Sequence, residues 1–176
     1  MLITVDKLKE VYPKFDDIDE ELIERKLSVI ESAIRKYTNN NFQNRIVRIK
    51  TDVLDGKINW NTKYLQVDDT IEISDGINKG LYTISSVGET IETLEPLYDY
   101  PMQLITKIEY PIDVIEGAID LLDWELIKQG KENSNIASES ISRHNVSYVQ
   151  RTKDNTISGY PIELFNFCEE YKKARF

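Results

Sequence analysis

A polar stretch near the end of the chain contains residue types that can perform nucleophilic catalysis. The stretch "ASESISRHNVSY", residues 137–148, holds the only histidine, His144, close to Ser140 and Ser142. A serine nucleophile needs a base within hydrogen-bond reach and an oxyanion hole. The Gly-x-Ser-x-Gly turn that often builds this arrangement is absent from the sequence, and side chains two apart on a strand point outward in parallel. We therefore expect a structural strand, with a serine hydrolase using Ser142 or Ser140 and His144 as an alternative.

The sequence offers few other groups for metal or redox chemistry. Cys168 is the single cysteine, which excludes an intrachain disulfide and, with one histidine, a Cys/His zinc set. It lies on the apolar face of a predicted helix, so we expect a core residue rather than a reactive thiol. Asp16, Asp17 and Asp19 precede a helix whose dipole already favours carboxylates, and the EF-hand spacing is absent. We expect no metal, no cofactor and no enzymatic activity.

Composition predicts a folded, acidic protein. The 176 residues are 40% hydrophobic and 30% charged, which is the balance of a globular chain. Asp and Glu number 31 against 22 Lys and Arg, a net charge of −9, so a DNA duplex would be repelled and sequence-specific binding is not expected. The sequence has no signal-peptide pattern and no apolar run long enough for a membrane span, so we expect no membrane partner.

Helical periodicity marks both ends of the chain. It predicts helices over residues 5–12, 19–38, 113–129 and 161–176. The second is the clearest, with Asp16, Asp17 and Asp19 as candidate cap carboxylates and an apolar stripe from Leu22 to Tyr37. The apolar face of the last helix is predicted to consist of Leu164, Phe167, Cys168 and Tyr171. The long second and third helices, each with a wide apolar stripe, are expected to pack against each other as a core.

Between residues 45 and 94 the period changes from 3.6 to 2, which indicates strands. The β-rich runs are "RIVRIKT", "KYLQV", "TIEIS", "LYTISSV" and "TIETL", separated by turns such as "LDGK" and "SDGINKG". Such a module can curl into a partly closed barrel. The predicted fold is α+β: a small helical bundle, residues 1–44 and 108–176, with a short β-strand element and an inserted small antiparallel β module, residues 45–107.

The order of several short elements is specific. "SESI", "VSY" and "GYP" follow one another, after the "YPIDVIEGAIDLLDW" helix and before a closing segment rich in Tyr and Arg. In this order the chain resembles the head-tail connector (adaptor) proteins of long-tailed bacteriophages. The resemblance covers residues 1–44 and 108–176. The chain departs from the family at residues 142–145, "SRHN", where members usually carry a Gly-Asp pair before the Ser-Tyr strand.

The resemblance implies a structural virion protein of the head-tail junction, assembled in the host cytoplasm, with no active site. Its implied partners are the portal protein, a downstream neck or tail-completion protein, and copies of itself in a ring of about twelve. DNA would pass through the lumen without sequence-specific binding, and an acidic ring carrying on the order of −100 charges would not hold it.

The portal contact is expected at the end of the chain. The residues are Tyr171, Lys172, Lys173, Arg175 and Phe176. Aromatic and arginine side chains are frequent interface anchors, whereas a purely local role for the cations would be to complement a helix dipole. The alternative function is that of a monomeric binding module whose β insertion recruits a partner.

Overall fold

The computed structural model describes residues 2–128, 138–141, 144–147 and 156–174. The chain divides into two compact units. The first consists mainly of Ile3–Tyr12 and Asn41–Tyr110, and the second of Pro13–Asn40 and Pro111–Phe176. The assignment of the chain to a connector core with an inserted module stays a prediction.

The first unit is built around a closed antiparallel barrel. Its strands are β1 (Gln43–Leu54), β2 (Lys57–Ile58), β3 (Thr70–Ile73), β4 (Gly80–Val87), β5 (Ile91–Thr93) and β6 (Tyr100–Ile108). Their order around the barrel is β1-β2-β5-β4-β3-β6, and β6 closes it by pairing with both β3 and β1. A short helix, α1 (Val5–Val11), belongs to the same unit.

Alternating apolar side chains fill the barrel, because successive residues of a strand face opposite sides of the sheet. The buried residues include Val53, Ile58, Ile71, Ile73, Ile84, Ile91 and Ile105. The predicted "LDGK" turn is confirmed: Asp55 and Gly56 both have positive φ, 52° and 70°, as a tight two-residue hairpin between β1 and β2 requires.

The predicted fold class is wrong. The protein has a closed six-stranded antiparallel barrel with helices, and not a small helical bundle with a short strand element. Two errors led to the wrong class. "KYLQV" was expected to form a strand but lies in a connection, and "YPMQLITKI", which forms β6, was not recognised. Without β6 the predicted module lacked the strand that closes the barrel.

The second unit contains the long helices. They are α2 (Glu20–Thr38) and α3 (Ile112–Asp123), which continues as a π-helical turn (Trp124–Lys128), and a 3₁₀ helix, Ile162–Tyr171, called the closing helix below. Two short hairpins complete it, β7 (Ser138–Ile141) with β8 (His144–Ser147) and β9 (Thr156–Ile157) with β10 (Tyr160–Pro161). In the part of the chain that the structure describes, no helix is long and apolar enough to cross a membrane.

The predicted contact between α2 and α3 is confirmed. Leu27 and Ile30 of α2 and Leu122 of α3 are fully buried, as their 3.6-residue periodicity indicated. Asp19 caps α2, accepting the Leu22 backbone N–H at 2.9 Å. The helix ends at Thr38, where Asn39 adopts the left-handed conformation typical of C-terminal caps.

The apolar face predicted for the last helix is partly wrong. Its buried residues are Phe165 and Cys168, while Leu164 and Phe167 are only partly buried. The spacing of three follows from the 3₁₀ geometry, which has three residues per turn, whereas the prediction assumed 3.6. Cys168 is a buried core residue, as expected.

Candidate partner-binding segment

Of the predicted partner-binding residues, Tyr171 ends the closing helix and Lys172 and Lys173 follow it, so the packing of that helix sets the position of these three. The Phe165 ring is buried, with its centroid 5.3 Å from that of Tyr37 on α2 and 6.2 Å from that of Tyr160. Gly117 of α3 lies against Phe167, and a Cβ at Gly117 would be 2.3 Å from ring atoms Cδ1 and Cε1. The missing side chain at Gly117 therefore allows α3 and the closing helix to approach closely.

Tyr171 is bound within the second unit. Its hydroxyl donates to Asp113, 2.9 Å from Oδ1 and 2.8 Å from Oδ2, and its carbonyl accepts from Asn40 Nδ2 at 3.2 Å. The hydrogen bond to Asp113 raises the pKa of Tyr171, because the neutral phenol is the donor. Tyr171 thus anchors the end of the closing helix to α3.

Lys172 is also engaged within the protein. Its Nζ lies 2.8 and 2.9 Å from the Glu169 carboxylate oxygens, 2.8 Å from the Tyr37 hydroxyl and 4.0 Å from the centroid of the Tyr37 ring. Tyr37 in turn donates to Glu169 Oε1 at 2.5 Å. The hydrogen bond from Lys172 and, to a smaller extent, the hydrogen bond from Tyr37 lower the pKa of Glu169. These three side chains hold the closing helix to the last turns of α2.

The chain then runs past the end of α2 through backbone contacts. The Lys173 N–H donates to the Thr38 carbonyl at 2.8 Å, and Asn39 Nδ2 donates to the Ala174 carbonyl at 3.1 Å. The Lys173 bond satisfies one of the carbonyls that every helix leaves unpaired in its last turn. The Lys173 side chain is exposed. Arg175 and Phe176 lie outside the described residues.

A partly buried network around Glu125 was not predicted from the sequence. Glu125, on the π-helical turn, accepts from Lys26 Nζ of α2 and from the Tyr160 hydroxyl, which belongs to the "GYP" element. Burial, with the hydrogen bond to Glu125, raises the pKa of Tyr160. No local pattern relates these residues, because each comes from a different element. The network ties the "GYP" hairpin to α2 and α3.

The serine and histidine stretch forms a hairpin. Ser138 pairs with Ser147, Ser140 with Asn145, and Ile141 with His144, so His144 begins the second strand rather than continuing the first. Ser142, the favoured nucleophile of the hydrolase alternative, lies outside the described residues. The single strand in which Ser142 and His144 were expected to share a face is therefore replaced by two paired strands.

The described residues contain no group of three or more His, Cys, Asp or Glu side chains arranged to hold a metal ion. Of the three aspartates before α2, Asp19 is the helix cap. Comparison of the chain with family models, with curated proteins and with solved structures found no match.

Proposed function

We propose that the chain is a structural head-tail connector of a tailed bacteriophage, which assembles as a ring under the portal and joins the head to the neck or tail. The observation that supports the proposal is the position of the three short sequence elements on which the resemblance is based. "SESI" and "NVS" pair as the β7–β8 hairpin, and "GYP" leads through β10 into the closing helix. These elements all lie in one helical unit, which supports a common role.

Within this proposal the portal-contacting residues divide into two groups. Tyr171 and Lys172 have partners in the second unit and position the end of the chain. The side chain of Lys173 is exposed, and Arg175 and Phe176 follow it in sequence. Cationic and aromatic side chains are suited to anchoring a partner. We therefore assign the portal contact to Lys173, Arg175 and Phe176, with Tyr171 and Lys172 as positioning residues.

The test is to mix the purified protein with purified portal rings and, separately, with DNA-filled heads that lack this protein. Electron microscopy should show an added ring under the portal, and co-sedimentation should give several copies of the chain per portal. If neither portal nor filled heads bind the protein, the connector proposal is wrong. Binding of one copy per partner would instead favour the monomeric binding module.

The contact residues need a variant that keeps the folded unit intact. Lys173→Glu combined with removal of residues 175–176 preserves the Tyr171 and Lys172 side-chain contacts and should lose binding to the portal. Lys7→Glu, at an exposed residue of α1, is the control for the Lys173 charge reversal and should bind like the parent. If the truncated variant binds portal as the parent does, the contact lies elsewhere on the chain.

A further inference from the structure

The barrel has a projecting bulge near the start of β1. In the pairing with β6, Asn44 faces Lys107 and the next paired residue, Arg48, faces Thr106, so residues 45–47 have no partner on β6. Ile46, within the bulge, is 93% exposed. Arg45 and Arg48, on either side, are exposed as well. The bulge therefore presents an aliphatic side chain between two cations.

The bulge has a defined shape. The Ile46 N–H donates to Asn44 Oδ1 at 3.0 Å, and Asn44 Nδ2 donates to Glu109 Oε2 at 2.6 Å. Val47 turns inward and is buried in the barrel core. A surface held in one shape before binding loses less entropy when a partner docks. Bulges also commonly re-aim side chains for function rather than arise as defects.

The other end of β1 carries an exposed apolar patch. Its large side chains are Leu54, Ile77, Tyr98, Tyr100 and Met102, each between 42% and 64% exposed. Ile77 and Tyr98 lie in two loops that hydrogen bonds join, since Asn78 accepts from the Tyr98 N–H at 2.9 Å and donates to the Tyr98 carbonyl at 2.7 Å. Val53 pairs with Tyr100 across β1 and β6. Grouped exposed apolar side chains of this kind mark interaction surfaces.

Carboxylates surround this patch, which we call the acidic end. Asp52 accepts the Met102 N–H at 2.8 Å, Asp75 the Leu104 N–H at 3.0 Å and Asp99 the Gly56 N–H at 2.9 Å. Asp55 lies exposed on the β1–β2 turn. The cations nearby are Lys57, which pairs with Glu92, and Lys79. Carboxylates outnumber cations here, so a cationic partner with an aliphatic centre is the chemical match.

We propose that the bulge of one copy of this protein docks on the acidic end of a second copy. Residues 46 and 54 are eight positions apart on one strand, about 26 Å at about 3.3 Å per residue, so one barrel cannot join its own two surfaces. Contact between two different surfaces is heterologous and generates a ring or an open chain of copies. The inference deepens the proposed function, because a ring under the portal needs a heterologous contact.

Two sets of substitutions separate the surfaces. The bulge variant combines Arg45→Glu, Ile46→Asp and Arg48→Glu. The acidic-end variant combines Ile77→Ser and Tyr98→Ser and leaves Asn78 in place, so that its altered surface gains no charge complementary to that of the bulge variant. Val67→Asp, at a residue of the barrel unit that is 54% exposed and belongs to neither surface, is the control for introducing a polar side chain. Circular dichroism melts should show that all three fold like the parent, since every changed side chain is exposed.

Sedimentation without portal gives the readout. The parent and the Val67→Asp control should form assemblies that grow with concentration. Each surface variant alone should associate at least tenfold more weakly, while an equal mixture of the two should form dimers that do not grow further, since one good interface remains between them. A parent that stays monomeric up to millimolar concentration, surface variants that associate normally, or a mixture without dimers would overturn the proposal. Portal binding is measured separately, so this failure is distinct from failure of the connector proposal.

Discussion

Gly117→Ala tests the close approach of α3 to the closing helix. Alanine favours a helix interior by about 1 kcal/mol relative to glycine. The added Cβ, however, would lie 2.3 Å from two Phe167 ring atoms and 2.5 Å from Cγ, whereas carbon atoms pack best at about 3.5–4.0 Å. The ring would have to retreat by more than about 1 Å, and overpacking costs about 1–3 kcal/mol. Since the overlap involves Cγ as well as the ring edge, we expect a cost at the upper end of this range, about 2–3 kcal/mol, and hence a net loss of about 1–2 kcal/mol.

Urea unfolding followed by circular dichroism measures this change. The decisive comparison repeats Gly117→Ala in a Phe167→Ala background, where the clash is gone and the same substitution should stabilise the protein by about 1 kcal/mol. Gly88→Ala is the control, because its nearest neighbour, the Thr90 carbonyl oxygen, is 3.9 Å from the built Cβ. If Gly117→Ala has the same effect with and without the Phe167 ring, the close contact between Gly117 and Phe167 is incorrect.

Three further predictions concern the same unit. Leu27→Ala should lower the free energy of unfolding by about 2–5 kcal/mol in urea titrations, since Leu27 is fully buried on α2; an unchanged midpoint would place that face in solvent. Burial, and to a smaller extent the nearby Glu169 charge, raises the pKa of Cys168 to about 12, so at pH 8 only about one thiol in ten thousand is ionised. A thiol reagent should therefore react slowly with the native protein and quickly once urea is added. Fast reaction of the native protein would contradict this prediction. The lowered pKa of Glu169 stabilises the fold above the ordinary pKa of 4.5, and this contribution is lost as pH falls through the folded-state value. Glu169→Gln should therefore reduce the drop in melting temperature between pH 7 and pH 3, and an unchanged drop would mean that the contact with Lys172 does not persist in solution.

The helix α2 could be predicted because its signals are local. Asp19 supplies a cap within three residues of the N–H it accepts, and the apolar stripe repeats every turn. The Asp55–Gly56 turn is equally local, because positive φ at two adjacent residues strongly favours this pair. The closing helix was found, but its buried face was not, since 3₁₀ and α-helices differ in period and the sequence does not distinguish them.

The candidate site was predicted in part. The cluster of aromatic and cationic residues at the chain end is visible in the sequence, but the contacts of Tyr171 with Asp113 and of Lys172 with Tyr37 join residues 58 and 135 positions apart. The bulge at Ile46 was equally hidden. In "RIVRIKT" the adjacent apolar residues Ile46 and Val47 interrupt the alternation of a strand, but only the register against β6 shows that residues 45–47 are unpaired.

The sequence by itself determined the acidic charge, the capped helix α2, the glycine turn and the buried position of Cys168, because each depends on composition or on neighbours within about one helical turn. The tertiary structure decided that the barrel closes, which face of the closing helix is buried and which charged side chains have partners within the protein. Barrel closure depends on β6 meeting β1, as when Val53 pairs with Tyr100. Such pairing depends on the geometry of the whole chain, and no local pattern of residues specifies it.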